Sequence, residues 1–329
     1  MSEVQGIFAN LNRYMNTQIV GQAGLIDRML IALLSDGHLL VEGAPGLAKT
    51  KAIKKLAQAI ECNSHRIQFT PDLLPADITG SDIYKPETST FTFQKGPIFH
   101  NFILADEINR APAKVQSALL EAMAERQVTV GATTYVLPEL FLVMATQNPI
   151  ENEGTYPLPE AQLDRFLMYV KIGYPDAAAE QQILHIVRGE YGQEAEPSFP
   201  KITQRQVKEA RMEVRNVHLS PELERYIVQF VVATRRPEVY DPALASYIEY
   251  GVSPRGTIAL DLCSRANAWL SARDYVTPAD IHAIIHDVLR HRILLTYEAE
   301  AKGITPDAFI DMLLQKVPFY RRYWLCCCM

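Results

Sequence analysis

The segment from His38 to Ile60 narrows what this chain folds into more than any other. An apolar run, His38–Val41, leads into Glu42-Gly43-Ala44-Pro45-Gly46-Leu47-Ala48-Lys49-Thr50 and then into a helical stretch, Lys51–Ile60. That is the strand–loop–helix order of a Walker A phosphate loop. Its chemistry explains the residue types. Backbone N–H groups and the helix N-terminus cradle negative phosphate, Lys49 neutralises β/γ oxygens, and the Thr50 hydroxyl is a ligand for Mg²⁺. Ala48 stands where the general motif has its third glycine, and it is expected to fit there with a negative φ.

Around this loop the first half of the chain alternates short apolar runs with helical stretches, the pattern of a parallel sheet covered by helices. Candidate strands are His38–Val41, His65–Phe69, Asn101–Ala105, Leu140–Thr146 and Leu167–Ile172, each short and, taken together, mostly apolar as buried parallel strands are. After Pro175 the strand signal stops. Helix starts follow at Ser220-Pro221, Ser253-Pro254 and Thr277-Pro278, each a capping residue followed by a first-turn proline. The fold class expected is therefore α/β, a five-stranded parallel sheet of the P-loop NTPase kind, with residues 1–175 as the nucleotide-binding core and 176–329 as an all-α lid. A length of 329 residues suits two domains.

A second chemical element ends the third strand. Phe102-Ile103-Leu104-Ala105 delivers Asp106 and Glu107 at a C-terminal strand edge, where open α/β sheets bind ligands. This is a Walker B pattern, with Asp106 for Mg²⁺ and Glu107 as the base that polarises an attacking water. At the end of the fourth strand, Thr146-Gln147-Asn148-Pro149 places an amide beside the acidic pair if the two strands are neighbours. Asn148 then has the chemistry of a γ-phosphate sensor. Arg165, just before the fifth strand, is the candidate arginine finger for a neighbouring subunit's nucleotide, since a planar permanent cation suits charge spread over a transferring phosphoryl group. Arg255, in the first turn of the Ser253-Pro254 helix, is the matching lid sensor. Val20-Gly21-Gln22, before an early amphipathic helix, matches an adenine-side box.

The order Gly43–Thr50, Asp106-Glu107, Asn148, Arg165 and Arg255 resembles that of AAA+ ATPases. Within them, Asp106-Glu107-Ile108-Asn109-Arg110-Ala111-Pro112, Gln116–Met123 and Thr146-Gln147-Asn148-Pro149 closely resemble the MoxR family, as does the alanine-bearing loop. The resemblance implies ATP and Mg²⁺ as cofactors and self-association into a ring, taken as a hexamer. It also implies remodelling or activation of partner proteins, with von Willebrand A-domain proteins among the partners. Two insertions fit this branch: Pro71–Pro97, whose Phe91-Thr92-Phe93 alternation suits a small hairpin, and Arg126–Pro138, a hairpin centred on Gly131. In related proteins such insertions face the ring pore.

Two other function classes share these motifs. Magnesium-chelatase ATPase subunits belong to the same branch. Nucleic-acid motors carry such insertions too, but a net charge of −6 and the lack of a helix-turn-helix or zinc module argue against specific nucleic-acid binding. An N-terminus without the charged head and apolar run of a signal peptide, and no membrane-length apolar stretch, point to the cytoplasm without membrane insertion. Cys62, Cys263 and the terminal Cys326-Cys327-Cys328 run fit reduced thiols better than a disulfide framework. His282 and His286, one helical turn apart, are expected to be an ordinary helix face.

Overall fold

A computed structural model of the protein describes residues 2–149, 154–191 and 199–318. The cysteine run at 326–328 and most of the polar loop near 192–200 lie outside them. The chain forms two compact units, Met1–Met212 and Glu213–Met329.

The strands of the first unit are β1 (Leu39–Glu42), β2 (Ser64–Gln68), β3 (Gly80–Lys85), β4 (Thr90–Lys95), β5 (Phe102–Asp106), β6 (Gln127–Val130), β7 (Thr133–Val136), β8 (Leu142–Gln147) and β9 (Met168–Lys171). Five of them make one sheet in the order β2-β5-β8-β1-β9, each pair parallel. These are the five strands expected from the apolar runs, shifted by a residue or two. Parallel strands force crossover connections, which here contain α3 (Lys49–Ala59), α4 (Pro75–Thr79), α5 (Ala113–Glu125) and α6 (Glu160–Leu163), while α1 (Glu3–Gln18) and α2 (Ala23–Leu34) precede the sheet and α7 (Ala177–Tyr191) and α8 (Gln204–Arg215) follow it.

Successive strand residues face opposite sides, and here both sides are buried. Leu40, Ile103, Ala105, Val143 and Ala145 pack with Val115, Leu119, Leu120 and Met123 of α5, while the alternate residues Leu39, Val41, Leu104 and Met144 are also withdrawn from water. A continuous apolar run is therefore what a doubly covered parallel strand requires. Edge strand β2 is different: only Ile67 is buried, and Arg66 and Gln68 are exposed. Asn63 and Asn101 lock the start of β2 to β5, each side-chain oxygen accepting the other's backbone N–H at 3.2 and 2.9 Å.

Both insertions are hairpins, β3–β4 and β6–β7. Gly80 is obligatory in the first, because a Cβ there would stand 2.2 Å from the Gln94 carbonyl oxygen. The two hairpins meet through Phe93 and Tyr135, stacked at 4.0 Å.

By element class the chain changes at Pro175, but by packing the first unit runs on to Met212. Ile202 bridges Ile60, and Arg211 donates to the Leu33 carbonyl at 2.8 Å and pairs with Asp36 at 2.9 Å. These contacts tie α8 and the segment just before it to the α/β core.

The second unit holds α9 (Pro221–Arg235), α10 (Pro254–Leu270), α11 (Pro278–Leu289), α12 (Tyr297–Ala301) and α13 (Pro306–Lys316), with one short antiparallel pair, β10 (Ile248–Tyr250) and β11 (Leu294–Leu295). The three Ser/Thr-Pro sites begin helices as expected. Ser220 and Ser253 accept from Leu223 and Arg255 N–H groups, and the Asp280 carboxylate accepts from both the N–H and the hydroxyl of Thr277. His282 is bonded to the Tyr226 hydroxyl at 2.8 Å and His286 to Asp311 at 2.9 Å. Among the described residues no group of three or more His, Cys, Asp or Glu side chains is placed to hold a metal ion.

Candidate active site

The parallel sheet brings the C-terminal ends of β1, β8 and β5 side by side. Register pairs Glu42 with Gln147 and Gln68 with Asp106, and the Gly43 N–H donates to the Gln147 carbonyl at 3.3 Å. Residues 43, 148 and 106 therefore line one edge, and Asn148 is buried there.

The Gly43–Thr50 loop is shaped by small residues. A Cβ on Gly43 would meet Ile172 Cγ1 at 2.4 Å, and Gly46 has φ +84, a left-handed conformation that glycine adopts at no steric cost. Ala44 and Leu47 are buried, whereas Pro45 and Gly46 face water. Ala48 corrects the sequence expectation: its φ is 57 and its ψ is 16. The loop keeps a left-handed turn that glycine would adopt without steric cost, and the alanine bears the strain. Immediately after it α3 begins at Lys49, with Thr50 in its first turn.

Lys49 folds back across the loop, its Nζ donating to the Gly43 carbonyl at 2.7 Å. Burial pulls its pKa down, while the nearby Asp106 and Glu107 carboxylates pull it up. The lysine cation thus sits within electrostatic reach of both acids, which come from a different strand.

Asp106 and Glu107 are tied together by Thr146, at the end of β8. The Thr146 hydroxyl donates to Asp106 Oδ1 at 2.5 Å and accepts the Glu107 N–H at 3.0 Å. Glu107 has φ 56, uncommon for a residue with a Cβ and a feature that clusters at functional sites. Its carboxylate accepts from Gln68 Nε2 at 2.8 Å and Arg110 Nη1 at 3.1 Å. Arg66 adds two N–H donors to Asp106 Oδ2, at 3.0 and 2.6 Å. Buried Gln116 donates to the carbonyls of Ile108, Ala111 and Tyr156, fixing the turn that follows the acids.

Thr146, Arg66 and Gln68 escaped the sequence reading. Thr146 was in plain view at the end of an apolar run, but Arg66 and Gln68 carry no motif. Only their alternation on β2 hints that both side chains share one face.

The remaining candidates lie on other elements. The exposed Arg165 donates from Nη1 to the Leu120 carbonyl on α5 at 2.8 Å. Gly21 has φ +77, and a Cβ on it would stand 2.7 Å from Pro175 Cβ, while Gln22 donates to the Gly173 carbonyl at 3.0 Å, so Val20–Gln22 lie against the chain leaving β9. Arg255 belongs to the second unit, in the first turn of α10.

The oxygen donors here suit a hard divalent cation: a carboxylate, a hydroxyl and the phosphates of a nucleotide are what Mg²⁺ accepts. Asp106 is already oriented by a hydroxyl on one oxygen, and the cradle beside it is lined by backbone and one lysine. The residues present fit Mg²⁺–nucleotide.

Comparison with known proteins bears on the family and the fold. Residues 38–168 match the family model described as "ATPase family associated with various cellular activities (AAA)", and residues 243–313 match the AAA lid domain. The chain is 47% identical to Chaperone MoxR1 of Mycobacterium tuberculosis over 91% of its length and 78% of that protein's. It is 32% identical to Protein MoxR of Paracoccus denitrificans, covering 97% and 98% of the two chains. It also superposes on the crystal structure of a Cytophaga hutchinsonii protein described as a candidate ATPase, with a TM-score of 0.88, 47% identity and coverage of 96% and 95%.

Proposed function

The chain belongs to the MoxR family of AAA+ ATPases, and on that premise we propose that it binds and hydrolyses Mg²⁺–ATP and couples the cycle to remodelling or activation of partner proteins. The observation that supports the catalytic part is the shared sheet edge: the Gly43 N–H donates to the Gln147 carbonyl at 3.3 Å and Thr146 joins Asp106 to Glu107, which brings the loop that carries Lys49 beside both acids. Bound Mg²⁺ would neutralise developing phosphate charge, with Asp106 and Thr50 its protein ligands.

In this reading the backbone of Gly43, Ala44, Pro45, Gly46, Leu47 and Ala48 orients the phosphates. Lys49 leaves the Gly43 carbonyl for a phosphate oxygen, a stronger charge-assisted partner. Glu107 holds the attacking water and takes its proton. Asn148 senses the γ-phosphate from beside Gly43. Val20, Gly21 and Gln22 contact the base side, and Arg255 reports nucleotide from the lid, 176–329, to the core, 1–175. Arg165 completes the site of the next subunit in a ring, taken as a hexamer.

Protein substrates, von Willebrand A-domain partners among them, and a cytoplasmic location complete the proposal. The 47% identity to a chaperone, MoxR1, supports the remodelling role. Among the described residues, no helix is long and apolar enough to cross a membrane.

Fluorescent-nucleotide titration and phosphate release test the site together. Lys49→Ala should lose nucleotide binding, since it leaves phosphate charge unpaired in a site built around that cation. Glu107→Gln should bind normally and turn over roughly 10²–10⁴-fold more slowly, the usual worth of a positioned general base. Unchanged affinity in the first variant, or equal loss of binding and turnover in the second, would refute these roles.

A further inference from the structure

The contact that reaches beyond this reading is made by Arg66. It lies on the sheet's edge strand β2, two residues before Gln68 and therefore on the same face. Its Nε and Nη2 both donate to Asp106 Oδ2, at 3.0 and 2.6 Å. Nη2 also donates to Gln68 Oε1 at 2.6 Å, and Gln68 passes its own N–H on to Glu107 Oε2 at 2.8 Å. A single guanidinium thus holds one acid directly and the other through an amide.

The geometry of this contact also leaves it free to open. The Arg66 side chain is 48% exposed, whereas Asp106 is 14% exposed, so the arginine has solvent to move into and the aspartate does not. Asp106 Oδ1 is taken up by the Thr146 hydroxyl, and two donors converge on Oδ2. A divalent cation drawn to this carboxylate meets a positive charge already on it, and the like charges repel.

We propose that Arg66 is a positioning residue that stands in for the metal's charge at Asp106, and that its release from Oδ2 sets how much Mg²⁺ the site needs. Its release would also free Gln68, so that metal entry loosens the Glu107 carboxylate in the same event. The inference rests on reading the site as one for Mg²⁺–nucleotide. If the site is competent only in the fraction of molecules with Arg66 withdrawn, apparent metal affinity falls by that fraction. A half-exposed pair of this kind corresponds to an effect of about two- to fivefold.

The experiment titrates Mg²⁺ against a fixed concentration of a fluorescent, non-hydrolysable ATP analogue, so that turnover plays no part. Wild type, Arg66→Met and Arg66→Lys are compared, with circular dichroism confirming that each is folded. Arg66→Met should reach half-maximal binding at about two- to fivefold less Mg²⁺, and Arg66→Lys should fall between, because lysine supplies charge without the two-pronged geometry. Affinity for the analogue in EDTA should change less than twofold. An unchanged or increased Mg²⁺ requirement in either folded variant, with normal wild-type binding, overturns the proposal and leaves the site reading intact. No Mg²⁺-dependent binding by the wild type would remove the site reading and this inference with it.

Discussion

Ala48 and Glu107 both sit in the left-handed backbone region, with φ of 57 and 56, and both flank the space proposed for phosphate. For alanine that conformation costs roughly 1–2 kcal/mol, whereas glycine's extra freedom in the unfolded chain costs about 0.5–1 kcal/mol. Strain wins, so Ala48→Gly should stabilise the ligand-free protein by about 0.5–1 kcal/mol, seen as a thermal midpoint higher by roughly 1–4 °C. A lower midpoint would mean that the alanine side chain contributes packing that the turn needs. His38 supplies a second residue-scale test. Its imidazole accepts the Val143 N–H at 3.0 Å and takes the place of a ladder partner where β1 has not yet begun. Burial, aided by Arg126, depresses its pKa from 6.5 to about 3. The folded state therefore excludes a proton that the unfolded state binds. This contribution is fully present above pH 6.5 and is lost as the pH falls from there toward 3. Denaturant midpoints near pH 5 should show roughly 2 kcal/mol less stability than near pH 7, with a shallower slope in His38→Gln. Parallel slopes in the two proteins would count against it.

At the scale of elements, the strands were legible because a sheet covered on both faces demands unbroken apolar runs, and β1, β5 and β8 are such runs. The hairpins were legible from Gly131 and from the Phe91–Phe93 alternation. Their mutual contact was not, because stacking between Phe93 and Tyr135 joins residues that no local period relates. The same holds for the candidate site: Lys49, Asp106, Glu107 and Asn148 announce themselves in motifs, whereas Arg66 and Gln68 acquire meaning only when β2 pairs with β5. Offset stacking at 4.0 Å and 17° should couple the hairpins by about 0.5–1.5 kcal/mol. A double-mutant cycle with Phe93→Leu and Tyr135→Leu measures that term, and additive losses would show that each ring merely covers its own hairpin.

For the whole molecule, composition change marked Pro175 as a boundary, but tertiary contacts such as Arg211 with Leu33 and Asp36 carry the first compact unit to Met212. Those contacts are long-range, so the sequence shows where element class changes and not where packing does. Assembly is tested through Arg165, which precedes β9 and whose Nη1 is held by the Leu120 carbonyl of α5. The proposed metal-binding and catalytic acids, Asp106 and Glu107, lie at the end of β5, which is separated from β9 in the sheet order by both β8 and β1. An arginine so placed is better suited to a neighbour's nucleotide than to its own. Arg165→Ala should therefore bind ATP nearly normally yet lose about 10³-fold or more in turnover, the scale of an arginine finger. Glu107→Gln alone should also be nearly inactive. Mixing the two proteins should restore part of the activity, because some interfaces then pair an intact Glu107 with an intact Arg165 from the adjacent subunit. The restored rate should rise with protein concentration as subunits associate. A mixture that stays inactive while mixed assemblies demonstrably form, or an Arg165→Ala protein with full activity, would rule out a site shared between subunits.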